Sequence, residues 1–595
     1  MTTVLGISCY YHDSGAAIVR DGQLVAAAEE ERFNRQKHYN DFPERAIAYC
    51  LREAGVTIDH VDHIAFYEKP LVKFNRILET ILACWPMTYR PWLKAIPLWL
   101  GHRLRIGHEI QEKLGTDKDI LYCQHHLAHA ASAFLVSPFK EAAIITADGV
   151  GEWTTTAWGT GRGTTLDMKQ EIRFPHSVGL LFSAITAYLG FRVNDAEWKV
   201  MGLAPYGEPK YVDKFRQVVD IKDDGSIRLN LRYFAHAYST TRTFNHRWEE
   251  LFGRPQRRPE AELDDFHRDI AASGQKVVED IMVKMATHVH RETGLDNVCV
   301  AGGVGLNCVA NWRILRESGF KNIYIQPAAG DSGGALGTAF YVYSAVLNNP
   351  RTFEMKHALW GPGFTNDEIR ATLHRVEAVY DTIDDENDLL ERTARMIADG
   401  KVVGWFQGRL EFGPRALGAR SLLADPRNPK MKEIINAKVK FREAFRPFAP
   451  AVLKENAHEY FEMPPGMDAP FMLLVPKVRE EKRRIIPAVT HQDGTGRVQT
   501  VTETDNGRYY RLIREFGRLT GVPVVLNTSF NVRGEPIVCT PDDAYHTFVH
   551  TGIDALVIGD FVVTQKPDPV DYDAGMRRSV KLEAGLRTGE SVTIR

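Results

Sequence analysis

Residues 141–161 read EAAIITADGVGEWTTTAWGTG. An apolar run ends in the polar turn Asp148-Gly149-Val150-Gly151, and a second run begins at Trp153, a pattern that predicts strand, tight turn, strand. The N-terminus carries the same design. Residues 3–33, TVLGISCYYHDSGAAIVRDGQLVAAAEEERF, give an apolar run, a polar turn from His12 to Gly15, a second apolar run, a turn at Arg20-Asp21-Gly22 and a third run that ends in acids. One strand-Asp-Gly-strand unit per half predicts a duplicated α/β domain with a cleft between the halves.

Two later stretches add a second kind of signal. Residues 297–314, NVCVAGGVGLNCVANWRI, and 322–340, NIYIQPAAGDSGGALGTAF, each read as a strand, a glycine-rich turn and the start of a helix. Backbone N–H groups and a helix N-terminus hold phosphate in that arrangement. Either turn alone is an ordinary tight connection; with the opening hairpin, the pair resembles the nucleotide cleft of actin-like and sugar-kinase-like ATPases.

Residues 121–134, LYCQHHLAHAASAF, place His125 and His129 four apart. On a helix they share a face, so both imidazoles can reach one ion, while His126 points elsewhere. Two ligands do not make a site, and other parts of the chain must supply oxygens.

At 595 residues the chain needs more than one core. A formal net charge of −2 gives no global attraction for nucleic acid, so any anion site must be local. Seven cysteines without a CxxC pair argue against a disulfide framework and a zinc-thiolate site, and point to a reducing cytosol. The first residues lack a basic segment before the apolar run, and no run reaches the roughly 18 apolar residues of a membrane helix. A cytoplasmic protein with no nucleic-acid or membrane partner is expected.

The mixed Pro, Gly and Asn of residues 347–368 mark a domain boundary. Beyond it, ten Lys or Arg stand against four Asp or Glu between Arg409 and Arg446, folded back by Gly-Pro, Asp-Pro and Arg-Pro turns. A pocket for a small, highly charged phosphate compound is the preferred reading, because Arg grips phosphate at two points. Residues 522–538, VPVVLNTSFNVRGEPIV, put Asn527, Ser529 and Asn531 beyond a buried strand, where ligands of open sheets collect. Residues 68–115 carry Trp85, Trp92 and Trp99 among Pro86, Pro91 and Pro97, which should interrupt any single helix through them. Short helices covering the core or an acceptor pocket are expected there, ahead of a peripheral membrane or partner surface.

Ten collinear motifs, YYHDSGAA, EEERFNRQKH, HHLAHAASAF, DGVGEWTTT, EWKVMGLAPYG, AGGVGLNCVAN, GDSGGALG, EFGPRALGARSLLADPR, FREAFRPFAP and LNTSFNVRGEPIV, together resemble the NodU/CmcH carbamoyltransferases. That family O-carbamoylates small natural products. The resemblance implies an α/β protein in which a duplicated actin-like, sugar-kinase-like ATPase-fold domain (1–350) is followed by a YrdC-like α/β domain (360–595). It implies ATP and carbamoyl phosphate as substrates, carbamoyl-adenylate as intermediate, and a small-molecule hydroxyl as acceptor. His125, His129, Asp148 and Asp331 match the family's metal ligands, iron by resemblance, with Mn²⁺ or Mg²⁺ also suited to such a donor set. His12 matches its candidate base, with Asp13 beside it. Lys37, Gly149, Gly302, Gly303, Gly305, Asn307, Gly333 and Gly334 would lie against the nucleotide. Arg415, Lys440, Arg446, Arg497, Asn527 and Ser529 match the positions expected to hold carbamoyl phosphate, with Lys438 fitting the spacing as well as Lys440. Arg32 is read as touching the adenylate or acceptor, or as a surface ion pair. A homodimer is the working expectation for assembly. The rival readings are a tRNA-modifying threonylcarbamoyl-type transferase and a non-enzymatic actin-like ATPase switch.

Overall fold

The computed structural model describes residues 1–567. The part of the expected 360–595 domain from 568 onward lies outside the described residues. Among the described residues the chain forms two compact units, the first made of Met1–Glu30 and His38–Met355, the second of Glu31–Lys37 and residues 356–567.

The first unit holds two five-stranded sheets. In one, β1 (Thr3–Ser8), β2 (Gly15–Arg20), β3 (Gln23–Glu29), β4 (His63–Phe66) and β5 (Ile120–Tyr122) lie in the order β3-β2-β1-β4-β5. The other contains β6 (Glu141–Ala147), β7 (Thr154–Arg162) and β8 (Thr165–Arg173), then, past a small hairpin of β9 (Val219–Ile221) and β10 (Ile227–Leu229), β11 (Asn297–Ala301) and β12 (Asn322–Ile325). Its order is β8-β7-β6-β11-β12. Pairing senses match strand for strand: β1 and β6 are each antiparallel to the next strand in sequence and parallel to β4 and β11. The duplicated actin-like design is therefore present in the topology itself. The central strands are buried on both faces, which is why their sequences read as near-continuous apolar runs.

Small residues let the layers touch. A Cβ on Gly6 of β1 would lie 2.0 Å from the Ala335 carbonyl oxygen, and one on Gly337 would lie 1.9 Å from that of Ala128. The helix Ser332–Phe340 is thus in backbone contact with β1 on one side and with the helix His125–Phe134 on the other.

The Trp/Pro segment forms a helical hairpin, Pro70–Ala83 and Tyr89–Gly101. Ile77, Ile81, Ala95 and Trp99 make its small core. No single helix runs through all three tryptophans, as expected, but Trp92 and Trp99 do share one. Pro91 sits in its first turn, where a missing N–H costs nothing, and Pro97 is accommodated inside it.

The second unit is built on one mixed sheet. Its strands are β13 (Asp381–Thr382), β14 (Val403–Phe406), β15 (Arg420–Ala424), β16 (Ala449–Leu453), β17 (Gln499–Val501), β18 (Val524–Ser529), β19 (Ala555–Ile558) and β20 (Phe561–Val563). They run in the order β13-β20-β19-β14-β15-β18-β16-β17. Helices Glu386–Ala398 and Gly507–Thr520 pack Leu389, Ile397, Tyr509 and Phe516 over Trp405 and Val525 of the sheet. The short piece Glu31–Lys37 completes this unit: Phe33 packs against Leu410, Ala416, Ile537 and Cys539, Arg32 donates to the Gly413 carbonyl at 2.8 Å, and Arg35 donates to those of Pro536 and Ile537. Among the described residues no helix is long and apolar enough to cross a membrane.

Candidate functional site

In the first unit His125 opens its helix and His129 follows one turn later, both buried. Asp148 comes from the turn after β6, and Asp331 directly precedes the helix Ser332–Phe340. The backbone contact of the two helices at Gly337 brings the four side chains together. His125 Nε2 lies 3.0 Å from Asp148 Oδ2 and 3.0 Å from His129 Nε2, and each Nε2 is 3.7 Å from Asp331 Oδ1. Ligand atoms about 2.1 Å from one ion stand about 3.0 Å apart at a right angle and about 4.2 Å apart when opposed, so these separations are those of donors around a single centre. The second Asp331 oxygen is buried without a hydrogen bond, and so is Nδ1 of each histidine. Four ligands converge with polar capacity unspent, which fits a metal ion.

The electrostatics agree. Burial lifts the Asp331 carboxyl to about 6, aided by Asp148 and opposed by the two histidines. Burial would also lower His125, but the Asp148 hydrogen bond and the Asp331 charge raise it to about 9. Against its own desolvation, Asp148 is held well below the usual carboxylate range by His125 and His129. His126 turns away, bonded to Thr146 Oγ1 at 2.8 Å, and burial with its two histidine neighbours keeps it neutral.

The turn carrying Asp148 is pinned from several sides. Ser177 Oγ donates to the carbonyls of Asp148 and Gly149, Gly303 N–H donates to Asp148 Oδ1 at 3.0 Å, and a Cβ on Gly151 would press on the His125 ring. Glu152, the last residue of DGVGE, accepts the His125 N–H at the start of its helix, a favourable place for a carboxylate.

Beside this centre lies a group that the sequence reading only half identified. His12 Nδ1 is 2.8 Å from Asp13 Oδ2, and its Nε2 donates to the Asn194 carbonyl at 2.6 Å. With both ring nitrogens facing oxygens, His12 is an imidazolium here; burial opposes the charge, but Asp13 raises it to about 10. His38 extends the chain, bridging Asp13 Oδ1 at 2.8 Å and Asp195 Oδ1 at 2.6 Å. Tyr10, Asp13, His38 and Asn194 all have positive φ, a concentration of backbone strain typical of functional sites. His38 closes the quoted motif EEERFNRQKH, so attention to its imidazole was available signal; Asp195, far along the chain, gave none.

The expected nucleotide contacts divide. Gly149 faces open space apart from Tyr11 Oη at 3.9 Å, and Gly303 lies against Asp148. Gly302 adopts φ +89° with its α-carbon against the Ala147 carbonyl, a conformation and a space that only glycine fits. Gly305 has ordinary contacts with Val300 and Ala329, while Gly333 and Gly334 are filled by the Ala328 carbonyl and the Tyr67 ring. Asn307 caps the helix Cys308–Glu317 through Ala310 N–H and exchanges hydrogen bonds with Gln275. Lys37 lies in the short piece that belongs to the second unit, and Arg32 there is spent on Gly413 and Glu31.

In the second unit part of the basic run gathers: Lys440, Arg442 and Arg446 lie near one another, with Arg497 beside them, while Arg409, Arg420, Arg427 and Lys438 bind protein oxygens elsewhere. Glu411 Oε1 accepts the N–H groups of Leu417 and Ala419 at 2.7 Å each, curling the loop that presents Arg415. Lys440 is buried, and its ammonium meets Ser529 Oγ, both the carbonyl and side-chain oxygens of Asn531, and the Ser529 carbonyl. Lys438 instead pairs with Asp554 at 3.1 Å, so Lys440 is the lysine that joins Ser529. Arg442, which the sequence reading passed over, is half-buried with Arg446 and Arg497 around it; desolvation and those two cations push its guanidinium well below normal. Phe441, between Lys440 and Arg442, sits at φ +46°. Glu443 answers part of the charge, 2.7 Å from Arg446 Nε. Asn527 on β18 donates to Ala416 O and Gln499 Oε1, which ties the Arg415 loop to the sheet. Arg420 is structural: its guanidinium meets the carbonyls of Gln407, Ala419, Pro362 and Gly408. Glu535, also buried, is the second acid near the group of Lys440, Arg442, Arg446 and Arg497, beside Lys440.

The chain matches the family model for the carbamoyltransferase N-terminus over residues 3–340 and that for the carbamoyltransferase C-terminus over 394–565. It is 50% identical to the uncharacterized protein sll1178 of Synechocystis sp., over 96% of this chain and 98% of that one. Nodulation protein NolNO of Sinorhizobium fredii is 40% identical over 95% of this chain and 80% of its own length. HypF from T. kodakarensis superposes on 58% of this chain and 48% of its own, with a TM-score of 0.30 and 15% identity. The strand order carries the fold, and the two family models, matched in order along nearly the whole chain, carry the identity: this protein is an enzyme of the carbamoyltransferase family.

Proposed function

We propose that the protein is an ATP-dependent O-carbamoyltransferase that uses carbamoyl phosphate, by way of carbamoyl-adenylate, to carbamoylate a hydroxyl of a small natural product. The observation that carries this reading is the buried convergence of His125, His129, Asp148 and Asp331 in a chain of this family. In the second unit, Arg415, Arg442, Arg446 and Arg497 bind carbamoyl phosphate, and a water molecule hydrolyses it there to carbamate and inorganic phosphate with release of a proton. Lys440 holds the Ser529–Asn531 turn in shape for them, because its donors already meet protein oxygens. Carbamate oxygen then attacks the α-phosphorus of ATP, pyrophosphate leaves, and carbamoyl-adenylate forms. The acceptor hydroxyl attacks the carbamoyl carbon, AMP departs, and a carbamate ester remains.

A metal held by the two histidines and two aspartates, iron or alternatively Mn²⁺ or Mg²⁺, would supply positive charge against nucleotide phosphate. Asp13, fixed by His12 and His38, orients the pair beside the acceptor. His12 takes the acceptor proton once Nε2 leaves the Asn194 carbonyl and the ring is neutral.

Purified protein with ATP, carbamoyl phosphate and Fe²⁺ should form pyrophosphate and, as water replaces the acceptor hydroxyl in attack on the adenylate, AMP, measured by ion-exchange chromatography. His129→Ala and Arg446→Ala should each cut AMP formation about 100-fold or more, as expected for lost charge-stabilising groups. ADP as the product, or AMP formation indifferent to carbamoyl phosphate, would overturn the proposal.

A further inference from the structure

Fourteen large hydrophobic side chains stand exposed among the described residues, and eight of them fall between Leu71 and Leu100. They are not scattered. Leu82, Trp85 and Met87, at 60%, 53% and 62% exposure, form the tip of the helical hairpin. Tyr89, Leu93, Pro97 and Leu100 then follow at spacings of four, four and three, a single outward stripe on the helix Tyr89–Gly101. The opposite stripe, Pro91, Ala95 and Trp99, is buried against Ile77 and Ile81, so the outward residues are not needed for the hairpin's own core.

Along the chain, the charged residues from the hairpin's tip through its second helix have one sign. Between Glu79 and Glu109 the chain contains no Asp or Glu but has Arg90, Lys94, Arg103 and Arg105. Arg90 and Lys94 are exposed and flank Tyr89 and Leu93 on the outward face. A second copy of the chain is a poor cover for it: a two-fold contact would set the stripe against itself, and with it the same cations, with no acid from this stretch to answer them. An apolar stripe with Trp and Tyr at its tip and cations along its edge is complementary to a surface that is apolar inside and anionic outside.

We propose that this hairpin docks the enzyme on an anionic lipid bilayer, with Leu82, Trp85, Met87 and Leu93 in the headgroup–acyl boundary and Arg90 and Lys94 on lipid phosphates. The contact is peripheral. It departs from the expectation, drawn from sequence, of no membrane partner, and does not depend on the reaction proposed above.

The test is co-sedimentation of the full-length protein with extruded vesicles of phosphatidylcholine alone or of phosphatidylcholine with phosphatidylglycerol. The expected result is partition at least about tenfold stronger onto the anionic vesicles, largely lost in roughly 0.5 M salt, where surface charges are screened within a few ångström. Arg90→Glu with Lys94→Glu should abolish the preference for anionic lipid, and Trp85→Ser with Leu93→Ser should weaken partition about tenfold or more on either vesicle. Circular dichroism and AMP formation in solution, which these positions should leave unchanged, show that the variants are folded. No partition by the wild type, or partition that both double variants retain, would overturn the proposal. So would a lipid-independent dimer, seen by light scattering, that Trp85→Ser with Leu93→Ser converts to monomer.

Discussion

A histidine that donates from both ring nitrogens is a charged residue whatever the buffer does near neutrality, and His12 is in that position between Asp13 and the Asn194 carbonyl. Its stabilising effect has a definite pH window. The imidazole titrates near 6.5 in an unfolded chain and near 10 here, so the contribution is complete below about 6.5 and is lost as pH rises through about 10. Replacing it by Gln should cost about 1.5–3 kcal/mol at pH 6, the usual worth of hydrogen bonds to charged groups. The gap between wild type and His12→Gln, followed by urea denaturation from pH 6 to pH 10, should shrink steadily; a constant gap would mean that the ring is neutral in the fold. The candidate histidine pair was legible in sequence because the two share a helical face, whereas Asp148 and Asp331 were reached only through the family resemblance, since carboxylates after two distant strands share no local pattern. Asp195 and Asn194 were not legible, since a loop residue meets His38 or His12 only through tertiary folding, which leaves no local pattern.

At the scale of elements, the duplicated design was readable because buried central strands force continuous apolar runs and the Asp-Gly turns punctuate them. What the glycines are for was less readable. GDSGGALG looks like a phosphate turn, yet Gly333, Gly334 and Gly337 each meet protein at a distance no side chain tolerates. Sequence shows that a residue must be small; it does not show whether a ligand or a neighbouring helix makes it so. Gly337 is the clearest case, because a Cβ would lie 1.9 Å from the Ala128 carbonyl, one residue before His129. Gly337→Ala should therefore push apart the two helices that carry His129 and Asp331. The expected cost is about 1–3 kcal/mol or more in urea denaturation. Metal affinity, read by equilibrium dialysis with Fe²⁺ or Mn²⁺, should fall with it. Gly101→Ala, where nothing lies within 4 Å, should stay within about 0.5 kcal/mol of wild type and bind metal normally.

On the scale of the whole molecule, the order of the chain is not the order of its units. The two units divide between Met355 and Lys356, and the second unit also takes in Glu31–Lys37 from the other end of the chain, with no composition signal to mark that borrowing. Its physical content is Phe33 in an apolar niche with Leu410, Ala416, Ile537 and Cys539, closed by Arg32 and Arg35 on backbone carbonyls. Cys539 reports on that niche conveniently, since it is the one cysteine after residue 308 and is 1% exposed, with burial lifting its thiol to about 11. In the full chain it should react very slowly with iodoacetamide at pH 8, because a buried, protonated thiol is a poor nucleophile. Phe33→Ala removes a partly buried ring and should cost about 1–2 kcal/mol locally, which raises the Cys539 labelling rate about tenfold. A fragment beginning at Lys356, which lacks the borrowed piece altogether, should label faster still. The modification is read on the Cys539 peptide by mass spectrometry, so the other six thiols do not interfere. Equal labelling in all three proteins would show that the niche is closed without Phe33, and that the second unit is complete from Lys356 onward.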